Sequence, residues 1–229
     1  MKNAVNIFMI NFHYREIIPT VMKMFFVISS AVISYLLGSI SSAIIVSKVF
    51  FGKDIRNSGS GNAGATNTLR TFGKKAGLTV FFFDFLKGII AVIIAGIFVS
   101  YFNAEYICIP VSGFFVQLGH IFPVFFGFRG GKGVATALGC AMAIMPLTAF
   151  ILIGIFAVSV VLSKTVSLSS GICAAVYPLL AYFLSDGNRI LHFVFAAGCS
   201  ALIIIKHSEN FARLLDGTES KISFGKKSE

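Results

Sequence analysis

Charge is scarce in this chain. Of its 229 residues only 12% are Asp, Glu, Lys or Arg, against 56% hydrophobic, and the mean hydropathy is +0.88. That balance excludes an ordinary soluble domain and makes the lipid bilayer the solvent. Acids are scarcer still, nine against 19 basic residues. The bases sit in loops between apolar runs rather than along one soluble face, which favours positive-inside membrane topology over nucleic-acid binding. The apolar runs lack in/out alternation, which argues against a membrane β-barrel. Cys108, Cys140, Cys173 and Cys199 contain no CxxC pair and read as small buried hydrophobes, neither disulfides nor metal ligands. Nucleophile signatures are missing too: there is no GxSxG elbow and no Cys/His set. His13, His120, His192 and His207 lie far apart without HExxH spacing, so no metal and no other cofactor is expected.

What is present is a succession of largely uncharged runs between Met24 and Ile205, each near the roughly 20 residues a helix needs to cross the hydrocarbon core. An all-α polytopic membrane bundle follows. Residues 1–23 mix Lys2, His13, Arg15, Glu16 and Pro19 with aliphatics and lack a short apolar core followed by an A-x-A-like site. They read as an extension without an assigned function, not a signal peptide. A single membrane-embedded domain is expected over 24–221, followed by a basic tail at 222–229. The first span is expected at Met24–Phe50, the second at Leu78–Ser100 and the third at Tyr106–Phe126. The loop between the first two carries Lys53, Arg56, Arg70, Lys74 and Lys75 against Asp54, which places it in the cytoplasm and the N-terminus outside. The block Val134–Ser163 would be roughly 45 Å long as one helix, beyond the ~30 Å core. Splitting it at Met145/Pro146, where proline removes a backbone donor, gives seven segments and a cytoplasmic C-terminus after the blocks Thr165–Leu184 and Ile190–Ile205. Five spans, with one late block lying on or re-entering the membrane, also satisfy the parity.

Three polar segments then face the same side. In the first, Ser58-Gly59-Ser60-Gly61-Asn62-Ala63-Gly64-Ala65-Thr66-Asn67 precedes Arg70. Its glycines let backbone N–H groups approach an anion, Ser60, Asn62, Thr66 and Asn67 offer neutral hydrogen bonds, and Arg70 offers a fork for phosphate. The same composition suits a flexible polar turn. It is neither GxGxxG nor a Walker A loop. The second, Gly119-His120-Ile121-Phe122-Pro123-Val124-Phe125 and then Phe128-Arg129-Gly130-Gly131-Lys132-Gly133-Val134-Ala135-Thr136, sets a lysine among glycines where a helix begins, which suits a second anionic group. Topological anchoring accounts for Arg129 and Lys132 but not for Gly-Gly-Lys-Gly. His120 suits a packed or interfacial histidine as well as catalysis. The third segment holds His207, Asn210 and Arg213, which share a face if the last helix continues. His207 could then act on a hydroxyl proton or bind phosphate, or the segment is a solvated basic tail. Asp84 and Lys87 lie inside the second span and are expected to pair or to face the site, because lone buried charge is costly in lipid.

Taken together, Gly-Ser-Gly-Asn-Ala-Gly-Ala-Thr-Asn at Gly59–Asn67, Gly-His-Ile-Phe-Pro-Val-Phe with Gly-Gly-Lys-Gly-Val-Ala-Thr at Gly119–Thr136, and His-Ser-Glu-Asn with Arg213 and Gly-Thr-Glu at His207–Glu219 resemble the acyl-phosphate:glycerol-3-phosphate acyltransferase family of bacterial membranes. The match covers Met24 to Lys221. The resemblance implies a seven-helix protein of the bacterial plasma membrane with its site at the cytoplasmic face. It implies acyl phosphate as donor, glycerol 3-phosphate as acceptor, lysophosphatidate and phosphate as products, and the soluble enzyme that makes acyl phosphate as a partner. Ser60, Asn62, Thr66, Asn67, Arg70, Lys132, His207 and Asn210 carry over as substrate-binding or catalytic positions. No histidine is followed five positions later by Asp, so the HxxxxD of acyl-CoA-dependent glycerolipid acyltransferases is absent. A mixed anhydride accepts direct hydroxyl attack, so positioning and charge suffice. Arg70 and Lys132 would neutralise the phosphates, with Lys132 on either one, and the base is His207 or a substrate phosphate oxygen. Competing readings are an organophosphate transporter, which internal inverted repeats would favour and which none here supports, a non-catalytic scaffold, and an acyltransferase using acyl-CoA or acyl carrier protein.

Overall fold

The computed structural model describes the backbone of residues 2–222 and the side chains from Thr20 onward. The expected basic tail beyond Ile222, and the side chains of the first 19 residues, lie outside the described residues. The described chain is helical throughout, with α1 Lys2–Gly38, α2 Ser42–Phe51, α3 Ala65–Phe72, α4 Lys74–Phe102, α5 Cys108–Ile121, α6 Val134–Ile144, α7 Pro146–Ser163, α8 Val166–Leu184, α9 Arg189–Lys206 and α10 Ser208–Leu215. Six stretches are long and apolar enough to cross a membrane, the first combining α1 and α2 over Thr20–Phe51, and α6 is a shorter seventh apolar helix. Side chains such as Leu162, Phe183 and Ile190 point outward, 80%, 69% and 70% exposed, as they must where the surroundings are hydrocarbon.

In lipid the drive to associate comes from close packing rather than from escape from water, so the interior is built of small residues. Ala91, Cys140, Ala141, Ala149, Ala181, Ala196 and Cys199 form much of the core, and the cysteines are free. The pairs α1–α5 and α4–α6 come close enough for backbone to meet backbone. A Cβ on Gly38 or Gly119 would land on the facing carbonyl of Val116 or Tyr35, and one on Gly88 or Gly139 on that of Thr136 or Phe85.

Two interruptions shape the functional end. The block expected to split at Met145/Pro146 does so, with Met145 off the helical conformation at φ −139° and ψ 72° and Pro146 opening α7. Antiparallel α6, about 16 Å long at 1.5 Å per residue, stops well short of the roughly 27 Å of α7, so its N-terminus is recessed. The first span, by contrast, is expected as one helix and is broken at Ser39, Ile40 and Ser41. The break strands carbonyls in an apolar setting. Lys87 of α4 answers it, its Nζ donating to the carbonyls of Gly38 and Ile40 at 3.0 Å each.

Candidate active site

The end of the bundle where α3, α6 and α10 begin encloses a cleft of about 1070 Å³, and Ser60, Asn62, Thr66, Asn67, Arg70, Lys132, His207 and Asn210 all line it. The three polar segments thus meet, although Ser60 and Lys132 lie 72 residues apart in the chain and Lys132 and His207 a further 75.

The first wall is the glycine-rich loop. Gly59 and Gly61 take positive φ of 58° and 72°, a region open to glycine without strain. The turn wraps around Asn67, which is buried. Its Oδ1 accepts from the Ser60 amide at 3.0 Å, and its Nδ2 donates to the carbonyls of Ser58 at 2.9 Å and Asn62 at 3.0 Å. Both amide hydrogens are committed, so Asn67 builds the cradle, a different task from the ligand hydrogen bond expected of it. The residues it organises, Ser60, Asn62 and Thr66, border open space beside the N-terminus of α3, whose first amides lack intrahelical partners and carry the positive end of the helix dipole. Arg56 pins the loop to the second segment, donating to the Phe126 carbonyl at 2.7 Å while pairing with Asp54 at 2.8 Å. That guanidinium holds the Asp54 carboxyl well below the usual range.

The second wall is the Gly-Gly-Lys-Gly turn at the recessed start of α6. Gly130 and Gly131 lie against α5, their amides bonded to the Ile121 and His120 carbonyls at 3.2 Å each, and a Cβ on Gly131 would strike the His120 ring. Burial pushes the Lys132 ammonium down to about 8, while Glu219 pulls the other way. Its Nζ donates to Asn210 Oδ1.

The third wall is not one continuous helix, the condition under which His207, Asn210 and Arg213 would all share a face. The chain turns at His207 between α9 and α10. Asn210 and Arg213 do share a face, and what they share is Glu219, which accepts from Asn210 Nδ2 at 2.6 Å, Arg213 Nε at 2.8 Å and Ser167 Oγ at 2.9 Å. Burial works to raise the Glu219 pKa, but these bonds outweigh it and hold the carboxyl low. Glu219 was quoted within the Gly-Thr-Glu motif but given no role at the site. Its signal was an acid set directly after Gly217-Thr218, close to the polar face of Asn210 and Arg213. His207 is buried, with Nδ1 2.8 Å from the Ile203 carbonyl. A carbonyl only accepts, so Nδ1 carries the proton and Nε2 holds a lone pair. Burial and the charge of Lys132 push His207 down to about 4, neutral at pH 7. Arg70, exposed, donates to the Ser220 carbonyl at 3.0 Å across the cleft mouth.

A family model described as glycerol-3-phosphate acyltransferase matches residues 28–217. The chain belongs to the glycerol-3-phosphate acyltransferase family. It is 42% identical over 204 residues to the glycerol-3-phosphate acyltransferase of Thermoanaerobacter sp. (strain X514), covering 89% of this chain and 98% of that one. It is 41% identical to that of Clostridioides difficile (strain 630), covering 88% and 98%. Among solved structures it resembles PlsY (YgiH), an integral membrane glycerol 3-phosphate acyltransferase. The glycerol 3-phosphate form matches with TM-score 0.78, 40% identity and coverage of 86% and 96%. The lysophosphatidic acid form matches with TM-score 0.75, 38% identity and coverage of 86% and 95%.

This family member is therefore a multi-pass membrane acyltransferase, and the floor of its cleft is a buried charge cluster. Asp84 and His120 both border the cleft. Asp84 Oδ1 takes hydrogen bonds or contacts from Ser42 Oγ at 2.5 Å, Lys87 Nζ at 3.0 Å and His120 Nδ1 at 3.4 Å. The expected pairing of Asp84 with Lys87 is present, and Asp84 borders the cleft as well. Removing one partner from such a pair leaves an uncompensated charge. Asp84→Asn is expected to destabilise the detergent-solubilised protein by on the order of 3–5 kcal/mol in a denaturant titration. A single variant as stable as the parent would show the pair to be idle.

Proposed function

We propose that the protein transfers a fatty acyl group from acyl phosphate to glycerol 3-phosphate, giving lysophosphatidate and phosphate, the first step of phospholipid synthesis. The observation that carries this reading is the junction of two unlike volumes. The polar cleft, rich in Arg70, Arg129 and Lys132, runs directly into an apolar groove of about 170 Å³ lined by Leu138, Leu152, Ile153 and Tyr177, and Phe81, Val134, Ala135 and Phe156 border both. An anionic head joined to a long acyl chain fits that shape, with room beside it for a second phosphate.

The hydroxyl oxygen of glycerol 3-phosphate forms a bond to the acyl carbon while the bond from that carbon to the bridging oxygen breaks. Lys132 and Arg70 neutralise the two phosphates, and the free amides at the starts of α3 and α6 face the developing oxyanion. Asn210 and Glu219 aim Lys132. His207 Nε2 orients the hydroxyl. An imidazole near pKa 4 holds a proton weakly, whereas a phosphate dianion, with its second pKa near 6, holds it better, so the hydroxyl proton leaves with the phosphate.

A cytoplasmic position for the cleft, in the plasma membrane of a bacterium, is supported by its rim. Lys53, Lys74, Lys75, Lys164 and Lys221 belong to this end, while the opposite turns carry Glu105, which pairs with Lys23, and the residues Asp186 and Arg189. A donor made in the cytoplasm would arrive from that side, by way of the soluble enzyme that makes it. The catalytic unit would be one membrane domain over residues 24–221.

Purified protein given labelled glycerol 3-phosphate with palmitoyl phosphate, palmitoyl-CoA or palmitoyl carrier protein is expected to make lysophosphatidate from the acyl phosphate alone, and Lys132→Ala is expected to lose it. Activity only with a thioester would refute the donor. Because Lys132 is cationic below about pH 8 and neutral above it, kcat/KM is expected to fall as pH rises through that value. A profile flat to pH 10 would remove the charge of Lys132 from the mechanism. His207→Ala is expected to lower kcat/KM chiefly through KM, whereas loss of a true general base costs on the order of 10²–10⁴ in kcat. A drop of that size in kcat at saturating substrate would restore His207 as the base.

A further inference from the structure

Phe128 occupies a conformation for which an aromatic residue is poorly suited. Its φ is 59° and that of Gly127 is 66°, so two consecutive residues lie in the left-handed region, which costs a non-glycine residue roughly 1–2 kcal/mol. The backbone around it is tied down. The Phe126 and Phe128 amides donate to the Pro123 carbonyl at 3.1 and 2.9 Å, and the Gly130 and Gly131 amides follow with bonds back onto α5. Burial does not reward the ring: Phe128 is 57% exposed, yet it borders the cleft beside Arg129, Gly130 and Lys132. Strain of this kind survives when it serves the bound state.

The chemistry of the cleft supplies the need. On the reading given above, the donor is an activated anhydride held by cations in a roomy cleft open at one end of the bundle. Those cations promote attack on the acyl carbon by any oxygen nucleophile. Attack by the glycerol 3-phosphate hydroxyl gives lysophosphatidate and phosphate; attack by water breaks the same acyl carbon–oxygen bond and gives fatty acid and phosphate, the water proton leaving in place of the hydroxyl proton. Charge alone does not separate the two outcomes, and exclusion of water does. The groove side of the junction already has its apolar walls in Phe81 and Phe156, which border both volumes. The phosphate side has Phe128.

We propose that Phe128 packs its ring against the bound acyl phosphate and keeps water from its carbonyl carbon, so that this residue sets the ratio of acyl transfer to hydrolysis. The inference rests on acyl phosphate being the donor, and the test separates the two ideas. Inorganic phosphate and lysophosphatidate are measured in parallel from palmitoyl phosphate and glycerol 3-phosphate. Glycine and asparagine tolerate the left-handed backbone, so Phe128→Gly and Phe128→Asn keep the turn and lose only the ring. Both are expected to raise phosphate released per lysophosphatidate by at least about threefold, while Phe128→Tyr stays near the parent, because only the first two admit water. Once the enzyme-free hydrolysis of palmitoyl phosphate is subtracted, the ratio does not depend on how much enzyme is folded. An unchanged ratio in the Gly and Asn variants overturns the proposal whatever their rates, as do variants that consume no donor at all. A parent that makes no lysophosphatidate from palmitoyl phosphate overturns the donor assignment, and the shield with it.

Discussion

The ammonium of Lys87, reaching two backbone carbonyls at the break between α1 and α2, is the contact on which the remaining architecture depends. A helix interrupted at membrane depth leaves polar groups that neither lipid nor water can satisfy, each at a cost of several kcal/mol. Lys87 satisfies them, and a lysine buried there is tolerable only because Asp84 sits one helical turn away on the same helix. Asp84 in turn touches Ser42 at the start of α2 and His120 at the end of α5, and His120 lies under Gly131 of the Gly-Gly-Lys-Gly turn. One carboxylate thus links four helices to the floor of the cleft. The network is fully buried, which rigidifies it, and it lies directly below the place where phosphates would bind.

Above that floor the cleft is organised by polar side chains that are themselves held. Asn67 shapes the first loop and Glu219 fixes Asn210 and Arg213, so Lys132 meets a prepared acceptor and not a flexible tail. Preorganisation of this kind reduces the rearrangement needed when charge develops in the reaction. The recess of α6 adds to it. Because the helix is short, its N-terminal amides and Lys132 lie below the rim, where the surroundings are drier and each cation interacts more strongly with phosphate than it would in water.

Much of this was legible in the chain. Runs of apolar residues announced the helices, the length of Val134–Ser163 together with Pro146 located a break, and two opposite charges three residues apart on one helix pointed to a pair. Motif content brought Ser60, Arg70, Lys132 and His207 forward as candidates, and all of them border one cleft. The break at Ser39–Ser41 was not legible, since serine and glycine are common in membrane helices and no proline marks the place. The backbone bonds of Asn67 and the contacts of Glu219 were not legible for a related reason: whether a polar side chain is spent within the protein or left for a ligand depends on partners that adjoin it only after folding. Asn210 bonds to Lys132, 78 residues away in the chain.

Composition and periodicity by themselves determined that this protein lives in lipid, where its helices lie and which segments carry polar chemistry, because burial preference and helix geometry are local properties of each residue and its near neighbours. The tertiary structure alone decided that these segments share one cleft, that an apolar groove opens from it, and that Phe128 is held in a strained turn at its edge. Those outcomes follow from contacts between residues distant in the chain, whose energies exist only once the helices have packed.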